Sequence, residues 1–375
     1  MGLELAEIFR RYGSAYRQKY ADRLLPSHRR AMRAIEQCRT EALGGQVYTC
    51  PECDQVQYSY HSCRNRHCPK CQNEKAQEWL QEQQDLLLPV PYFMLTFTLP
   101  AALCEAARSH QSIFYNLLFR ASADAAQRLA QDPHFVGGQL GLVGVLHTWG
   151  RNLSYHPHIH YLVPAGGLAA DGHTLRCSGQ AWHPARQDFL LPVKALSKIF
   201  RGKFRQALQK TALCTHIPAK VWQQDWVVHC KPVGDGRTVL KYLAPYIFRV
   251  AISNRRLVKL EHDQVTFRYR TSDTGRLRLC TLSAEEFIHR FLQHVLPKGF
   301  VKVRYFGFFA PGCRKHLVTL RHWLVNTYPD RDELDEPGES KEPAISAPTS
   351  VVRCPNCGQA MHLERTIQPT GRCPP

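Results

Sequence analysis

The most informative segment of the sequence is Tyr155-His-Pro-His-Ile-His-Tyr-Leu-Val163, which follows the apolar run Gly141-Leu-Val-Gly-Val-Leu-His147. Successive side chains of a β-strand point to opposite faces of the sheet. His158 and His160 therefore share one face, and the isoleucine between them points into the core. The few residues between the two runs predict a hairpin, which would place His147 beside the pair. Three imidazoles on one face can hold a divalent metal and leave coordination positions open.

A histidine-rich strand has a second interpretation, because such a strand can also be a metal-free part of the surface. His156 precedes Pro157 and is assigned to the turn rather than to the metal face. The residues of this strand alone leave both interpretations open.

Two tyrosines further along the chain, Tyr242 and Tyr246, are four residues apart and fall on one face of a predicted helix. They are either core aromatics or phenol nucleophiles that belong with the histidines. Pro245 disfavours helix at the residue before it and would kink or start the helix between them. Bases that could hold the backbone of a nucleic acid adjoin the pair, namely Lys241, Arg249, Arg255, Arg256 and Lys259.

The elements around these motifs predict an α+β fold with a central antiparallel sheet, flanked by helices, between residues 90 and 310. Strands are expected at 92–98, 139–148, 157–164, 226–231, 257–260, 265–270 and 276–281. Helices are expected within 3–42, ending at a Gly-Gly pair, and at 72–88, 101–131, 193–211, 238–249 and from Ser283.

Two Cys-x-x-Cys knuckles near the N-terminus predict a zinc site. Cys50, Cys53, Cys68 and Cys71 have nearly the spacing of a four-thiolate zinc ribbon. Residues inside the loop could replace a ligand or be structural; they are His61, Cys63 and His67. Arg64 and Arg66 beside the knuckles could contact phosphates.

A third knuckle, Cys354-Pro-Asn-Cys357, lies near the C-terminus. The only thiol after it is Cys373, and His362 could supply a fourth ligand. We interpret it as a partial zinc site or as a vestigial ribbon.

Length and charge narrow the class of protein. The 375 residues exceed one ordinary core, which predicts two or more modules. Lys and Arg number 49 against 31 Asp and Glu, and a net charge of +18 attracts polyanions such as nucleic acid.

Several other classes are disfavoured by the sequence. The first residues lack the features of a signal peptide, which disfavours a secreted protein. Three prolines interrupt the longest apolar stretch, residues 86–103, which disfavours a membrane-spanning helix. Fifteen cysteines, an odd number, argue against a secreted disulfide scaffold. We therefore expect a cytosolic protein that handles nucleic acid.

At these motifs the chain resembles the HUH endonuclease superfamily, named for two histidines separated by a hydrophobic residue. It resembles more closely the two-tyrosine rolling-circle transposases of the bacterial insertion sequence ninety-one-like group. The resemblance extends from about residue 40 to 315 and rests on segments 60–71, 97–100, 155–160, 242–246 leading into 249–256, 295–300 and 303–307.

The resemblance implies roles for the residues named above. His158 and His160 would bind Mg²⁺ or Mn²⁺ with His147 as the third ligand, Tyr242 and Tyr246 would be the nucleophiles, and the cysteines would bind Zn²⁺. The implied fold is an HUH nuclease with an RRM-like or ferredoxin-like core. The implied activity is cleavage and rejoining of single-stranded DNA through a 5′-phosphotyrosine intermediate, in the bacterial cytoplasm at the nucleoid, without a nucleotide cofactor or a membrane.

The predicted domains are N-terminal helices (1–45), a zinc-binding domain (46–90), an HUH catalytic domain (91–315), an acidic linker or tail (316–350) and a partial zinc knuckle (351–375). Three other functions remain open from the sequence. A plasmid replication initiator or relaxase would use the same site for a different element. A zinc-dependent DNA-binding regulator would form no covalent adduct with DNA. A zinc-containing RNA-binding or processing protein would bind RNA better than single-stranded DNA.

Overall fold

The computed structural model describes residues 2–71, 73–169, 182–240, 251–271, 274–327 and 351–370. Four residues of the predicted site lie outside the described residues, namely Lys241, Tyr242, Tyr246 and Arg249.

The described residues form the following helices and strands. The helices are α1 (Leu5–Lys19), α2 (Pro26–Gln37), α3 (Asn73–Gln84), α4 (Cys104–Ser109), α5 (Gln111–Ala130), α6 (Val193–Leu208), α7 (Ala284–Leu292) and α8 (Leu317–Thr327). The strands are β1 (Gly45–Thr49), β2 (Val56–Tyr60), β3 (Tyr92–Thr98), β4 (Gly141–Trp149), β5 (Tyr155–Pro164), β6 (Gly166–Leu168), β7 (Trp182–Pro184), β8 (Val228–Pro232), β9 (Leu257–Glu261), β10 (Gln264–Arg270), β11 (Leu277–Ser283), β12 (Val303–Gly307) and β13 (His362–Ile367). Among the described helices, none has the length and hydropathy that crossing a bilayer requires.

The chain divides into two compact units. The first unit comprises Met1–Glu74, Ile252–Val295 and Pro337–Pro375, and the second comprises Lys75–Ala251 and Leu296–Glu336. The segment after the tyrosines and the C-terminal segment thus group with the N-terminal helices.

A five-stranded antiparallel sheet is the centre of the second unit. Its strand order is β12-β4-β5-β3-β8, and every neighbouring pair is antiparallel. Helices flank this sheet, which confirms the predicted α+β class. Strand β3 has the predicted bounds, whereas the long helix expected over 101–131 is broken at His110, between α4 and α5.

One face of this sheet packs against helices α5 and α6. Phe97 and Ile159 point from the strands into this core, where they join Phe119, Phe200 and Phe204, all fully buried. Ring pairs such as Phe97 with Phe200, whose centroids are 5.1 Å apart, fill the layer edge to face. A packed apolar layer of this kind keeps the strands in one register, because a shift by one residue would turn every side chain to the other face.

The opposite face of the sheet carries a second apolar cluster and the histidines. Val143, Val145 and Leu162 belong to that cluster, together with Phe308 and Leu320. The same alternation that sends Ile159 to the first core sends His158 and His160 to this face. The predicted orientation of the histidine strand is therefore confirmed.

The first unit has a helical core and two small sheets. Phe9 of α1 packs edge to face on Phe291 of α7 with ring centroids 5.4 Å apart, and Tyr16 hydrogen bonds to His289 at 3.2 Å. One sheet has the order β11-β10-β9, which contains three of the predicted strands, and the other has the order β13-β1-β2. Strands β1, β2 and β13 were not predicted. The helix predicted from Ser283 is α7, and the Ser283 hydroxyl caps it by accepting from the Glu286 N–H at 3.2 Å.

Candidate metal centres

Three histidines converge on the sheet face opposite helices α5 and α6. His158 pairs with His147 across β4 and β5, and His160 pairs with Val145 one strand period away. The ligand atoms of His147, His158 and His160 all lie within 4.8 Å of one another. The structure therefore brings together the three histidines that the sequence predicted.

Hydrogen bonds orient the imidazoles of His158 and His160. Nδ1 of His158 donates to the backbone carbonyl of His156 at 2.7 Å. Because a carbonyl can only accept, this bond leaves Nε2 of His158 with the free lone pair. Nδ1 of His160 lies 2.9 Å from the hydroxyl of Thr96 on the neighbouring strand β3. Such bonds to the second ring nitrogen fix the tautomer and the ring orientation of a metal ligand.

Burial keeps these imidazoles uncharged. It lowers the pKa of His158 to about 3 and the pKa of His160 to about 4, and it lowers the pKa of His147 well below its ordinary value. Neutral imidazole is the form that binds a metal. Three neutral nitrogen donors fit a divalent ion that keeps further positions open for a substrate.

The segment leading to the tyrosines begins beside this face. Residues 237–240 are helical, and the Asp235 carboxylate accepts from the Arg237 N–H at 3.1 Å at the helix start. Val239 and Leu240 are buried in the apolar cluster that covers the histidine face of the sheet. Tyr242 follows two residues later, outside the described residues.

The cysteines form two groups of four that differ from the predicted quartet. Cys68 and Cys71 lie with Cys38 and Cys63, whereas Cys50 and Cys53 lie with Cys354 and Cys357. The grouping of Cys50, Cys53, Cys68 and Cys71 in one site is therefore wrong, although each belongs to a thiol group. The spacing was insufficient because one knuckle supplies only two of the four ligands of a tetrahedral site, and the tertiary structure determines the other two.

The first thiol group, Cys38, Cys63, Cys68 and Cys71, is fully buried. Sγ of Cys71 lies 3.5 Å from that of Cys38 and 3.6 Å from that of Cys63. Four sulfurs around Zn²⁺ at about 2.3 Å would be about 3.8 Å apart, so the group fits zinc. Hydrogen bonds within the group lower the pKa of the Cys38 thiol and raise the pKa values of the Cys63 and Cys68 thiols.

Cys38 is the ligand that sequence reasoning missed. It stands alone, outside any Cys-x-x-Cys pair, at the end of α2. The only indication in the sequence was position along the chain. Cys38 ends α2 shortly before β1 and β2, which lead to Cys63, Cys68 and Cys71.

Neither loop histidine belongs to a thiol group in the described chain. His61 Nδ1 lies 3.2 Å from the Leu43 carbonyl, and His67 Nδ1 lies 3.2 Å from the Asn65 side chain. Cys63, the third residue considered, is a member of the first group.

The described basic residues of the predicted DNA-binding set lie in the first unit. Arg64 is exposed and Arg66 is half-buried in the loop before Cys68. Arg255 is exposed and Arg256 half-buried just before β9. The Arg256 Nε donates to the Arg268 carbonyl at 3.0 Å, which holds its side chain along β10.

Comparisons with known proteins agree with this arrangement. The model of a family described as a putative transposase matches residues 141–316, and that of a transposase zinc-binding domain matches residues 8–99. The first interval contains the three histidines, and the second contains the first thiol group.

Two relatives align over most of the chain. The putative transposase y4qJ of Sinorhizobium fredii is 39% identical over 385 aligned residues, which cover 96% of this chain and 94% of that protein. The transposase for insertion sequence element IS801 of Pseudomonas savastanoi pv. phaseolicola is 32% identical over 288 residues, covering 73% of this chain and 68% of that protein. No solved structure matches significantly. The chain therefore belongs to the IS91-like transposases, with an N-terminal transposase zinc-binding domain.

Proposed function

We propose that this transposase cleaves and rejoins single-stranded DNA through a 5′-phosphotyrosine intermediate. Tyr242 and Tyr246 act as nucleophiles, and His147, His158 and His160 hold a catalytic Mg²⁺ or Mn²⁺. The observation that supports this most is the convergence of three neutral imidazoles within 4.8 Å on one sheet face. A divalent ion held by these three histidines would supply charge neutralisation and orientation of the scissile phosphate.

The position of Leu240 supports the assignment of the tyrosines. Its side chain is 1% exposed and packs in the cluster on the histidine face of the sheet. Tyr242 follows Leu240 by two residues in the sequence, and this proximity in the chain is what supports the proposal.

The reaction exchanges one phosphate ester for another. The tyrosine oxygen forms a bond to phosphorus while the bond from phosphorus to the 3′-oxygen breaks. The phenol proton is lost to solvent and the departing 3′-oxygen gains one, which leaves a 5′-phosphotyrosine and a 3′-hydroxyl. A phenol has a pKa of about 10 and needs a neighbouring cation to react at neutral pH, a role that suits Lys241 or Arg249.

The covalent link conserves the energy of the broken ester, so rejoining needs no nucleotide cofactor. A 3′-hydroxyl attacks the phosphotyrosine and releases the phenol. A second tyrosine holds one strand end while another is cut, which suits rolling-circle transposition of an insertion sequence. The bases Arg64, Arg66, Lys241, Arg249, Arg255 and Arg256 contact DNA phosphates in this proposal, which places the protein at the nucleoid in the bacterial cytoplasm.

A covalent trapping experiment tests the proposal. Labelled single-stranded DNA from the element ends is incubated with protein and Mg²⁺ or Mn²⁺, and the products are separated on a denaturing gel. We expect a labelled band at the protein mass that requires metal and is lost in the double variant Tyr242→Phe/Tyr246→Phe. The single variants identify the nucleophile. Tyr269→Phe, which removes the hydroxyl of a half-buried tyrosine of β10, is the matched control.

Two results would contradict the proposal. An adduct that persists in the double variant would show that another residue attacks. DNA binding without any adduct under all metal conditions would favour a zinc-dependent regulator instead.

A further inference from the structure

We propose that Cys50, Cys53, Cys354 and Cys357 form a second four-thiolate zinc site, which joins the C-terminal segment to the N-terminal zinc-binding domain. This site is independent of the proposed DNA chemistry. The family model of the zinc-binding domain ends at residue 99 and therefore includes Cys50 and Cys53 without the other two thiols.

The four sulfurs have the spacing of a tetrahedral zinc site. Sγ of Cys357 lies 3.4 Å from that of Cys50 and 3.7 Å from that of Cys53, and Sγ of Cys53 lies 3.5 Å from that of Cys354. These distances approach the roughly 3.8 Å edge of a ZnS₄ tetrahedron. They far exceed the bond of about 2.05 Å in a disulfide, and all four cysteines are free thiols.

The two knuckles have the same backbone conformation. The N–H of Asp54 donates to the Cys50 carbonyl at 3.1 Å, and the N–H of Gly358 donates to the Cys354 carbonyl at 2.9 Å. Both Asp54 and Gly358 have positive φ, 54° and 77°. In each knuckle the N–H of the first cysteine donates to the backbone carbonyl of the glutamine five residues later. The distances are 3.0 Å from Cys50 to Gln55 and 2.8 Å from Cys354 to Gln359.

This turn suits metal binding, because it directs both thiols of a Cys-x-x-Cys pair to one point. The positive φ of Asp54 is uncommon for a residue other than glycine, so the turn is a specific conformation. Two such turns facing each other provide the four corners that one metal needs, because each knuckle alone supplies half of a site.

The fold brings the knuckles together through a sheet. Strand β13 pairs antiparallel with β1 from Gly45 opposite Ile367 to Thr49 opposite His362. At Gly44, which has φ 72°, an added Cβ would lie 2.6 Å from the Ile367 carbonyl, so only glycine accepts this approach of the C-terminal strand. At the end where Thr49 lies opposite His362, Cys50 directly follows β1, and Cys357 lies a few residues before β13.

Apolar side chains partly enclose the group. Cys50 and Cys354 are buried with Met361, and Tyr48 and Val352 pack against them. Cys357 is exposed. An exposed thiol is accessible to alkylating reagents unless a metal holds it.

Zinc stoichiometry of the full-length protein tests the proposal. Native mass spectrometry is expected to find two zinc ions per chain, one for each thiol group. The double variants Cys50→Ser/Cys53→Ser and Cys354→Ser/Cys357→Ser should each retain one ion. The quadruple variant should also retain one, because both pairs serve the same metal. Cys280→Ser, a half-buried thiol of β11 outside both groups, should retain two.

A rescue variant and a chemical readout protect the test against misfolding. Cys357→Ser should lose one zinc, whereas Cys357→His should keep two, since imidazole replaces thiolate in such sites. In the wild type, alkylation of Cys357 should accelerate at least about tenfold after a chelator removes the metal.

Three results would overturn the inference. A wild type with a single zinc that Cys354→Ser/Cys357→Ser does not remove would exclude the C-terminal ligands. A quadruple variant that loses both ions would assign the two pairs to different metals. An equal rate of Cys357 alkylation with and without chelator would mean that its thiol binds no metal.

Discussion

The hydrogen bond between Thr96 and His160 gives a sharp test of the histidine site. Thr96→Val removes the hydroxyl at 2.9 Å from Nδ1 of His160 and keeps the shape of the side chain. A group that orients a metal ligand in this way typically contributes 10- to 100-fold to metal affinity. We therefore expect Mn²⁺ to bind about 10- to 100-fold more weakly, a loss of roughly 1.4 to 2.8 kcal/mol.

Strand β3 supplies a matched control for this change. Thr98 lies on the same face and opposite His158, and it is 8% exposed where Thr96 is 9% exposed. Within the described parts of the chain, no hydrogen bond joins the Thr98 side chain to a histidine. Thr98→Val should thus leave the Mn²⁺ affinity within about twofold, since it changes only the packing.

The assay is a titration of the metal-free protein with Mn²⁺, in which electron paramagnetic resonance reports the free ion. Thermal unfolding without metal separates affinity from stability, because loss of one hydrogen bond should cost only about 1 kcal/mol. Unchanged affinity in Thr96→Val would refute the reasoning. An equal loss in both valine variants would refute it as well, because the effect would then arise from the strand and not from the bond to His160.

Three further predictions concern the same sheet. His160→Asn should weaken Mn²⁺ binding by more than the roughly 100-fold of a supporting group, whereas His229→Asn, an exposed residue on β8, should not, by the same titration; equal effects would contradict a three-histidine site. Ile159→Ala should lower the free energy of unfolding in urea by about 2 to 5 kcal/mol and Ile159→Val by about 0.5 to 1.5, because this side chain is fully buried; a neutral alanine variant would mean that the strand face is misassigned. Gly307→Ala should lower the free energy of unfolding by at least about 1 kcal/mol, since φ is 60° and a Cβ would meet a backbone carbonyl. The control Gly312→Ala, with open space around it, should change that free energy by no more than about 0.5 kcal/mol. Similar unfolding midpoints for the two variants would rule out strain at Gly307.

The histidine site shows how much local sequence can predict. His158 and His160 are one strand period apart, so alternation predicts that they share a face, and the short hairpin between β4 and β5 predicts that His147 lies beside them. The hydrogen bond to Thr96 could not be predicted in this way, because β3 and β5 are separated by more than fifty residues and only the sheet order makes them neighbours.

The cysteines show the opposite case. The local sequence predicts that each Cys-x-x-Cys pair makes a knuckle, since two residues between the thiols allow a single tight turn to direct both at one metal. It did not determine which knuckles would share a metal. Cys53 and Cys354 are 301 positions apart and meet only because β13 joins β1, and Cys38 reaches its partners only from the end of α2. Short sequence spacings, such as strand alternation or Cys-x-x-Cys, predict the direction of a side chain within its own segment. Which distant segments complete the site depends on the tertiary structure, because strand pairing leaves no local pattern in the residues that it brings together.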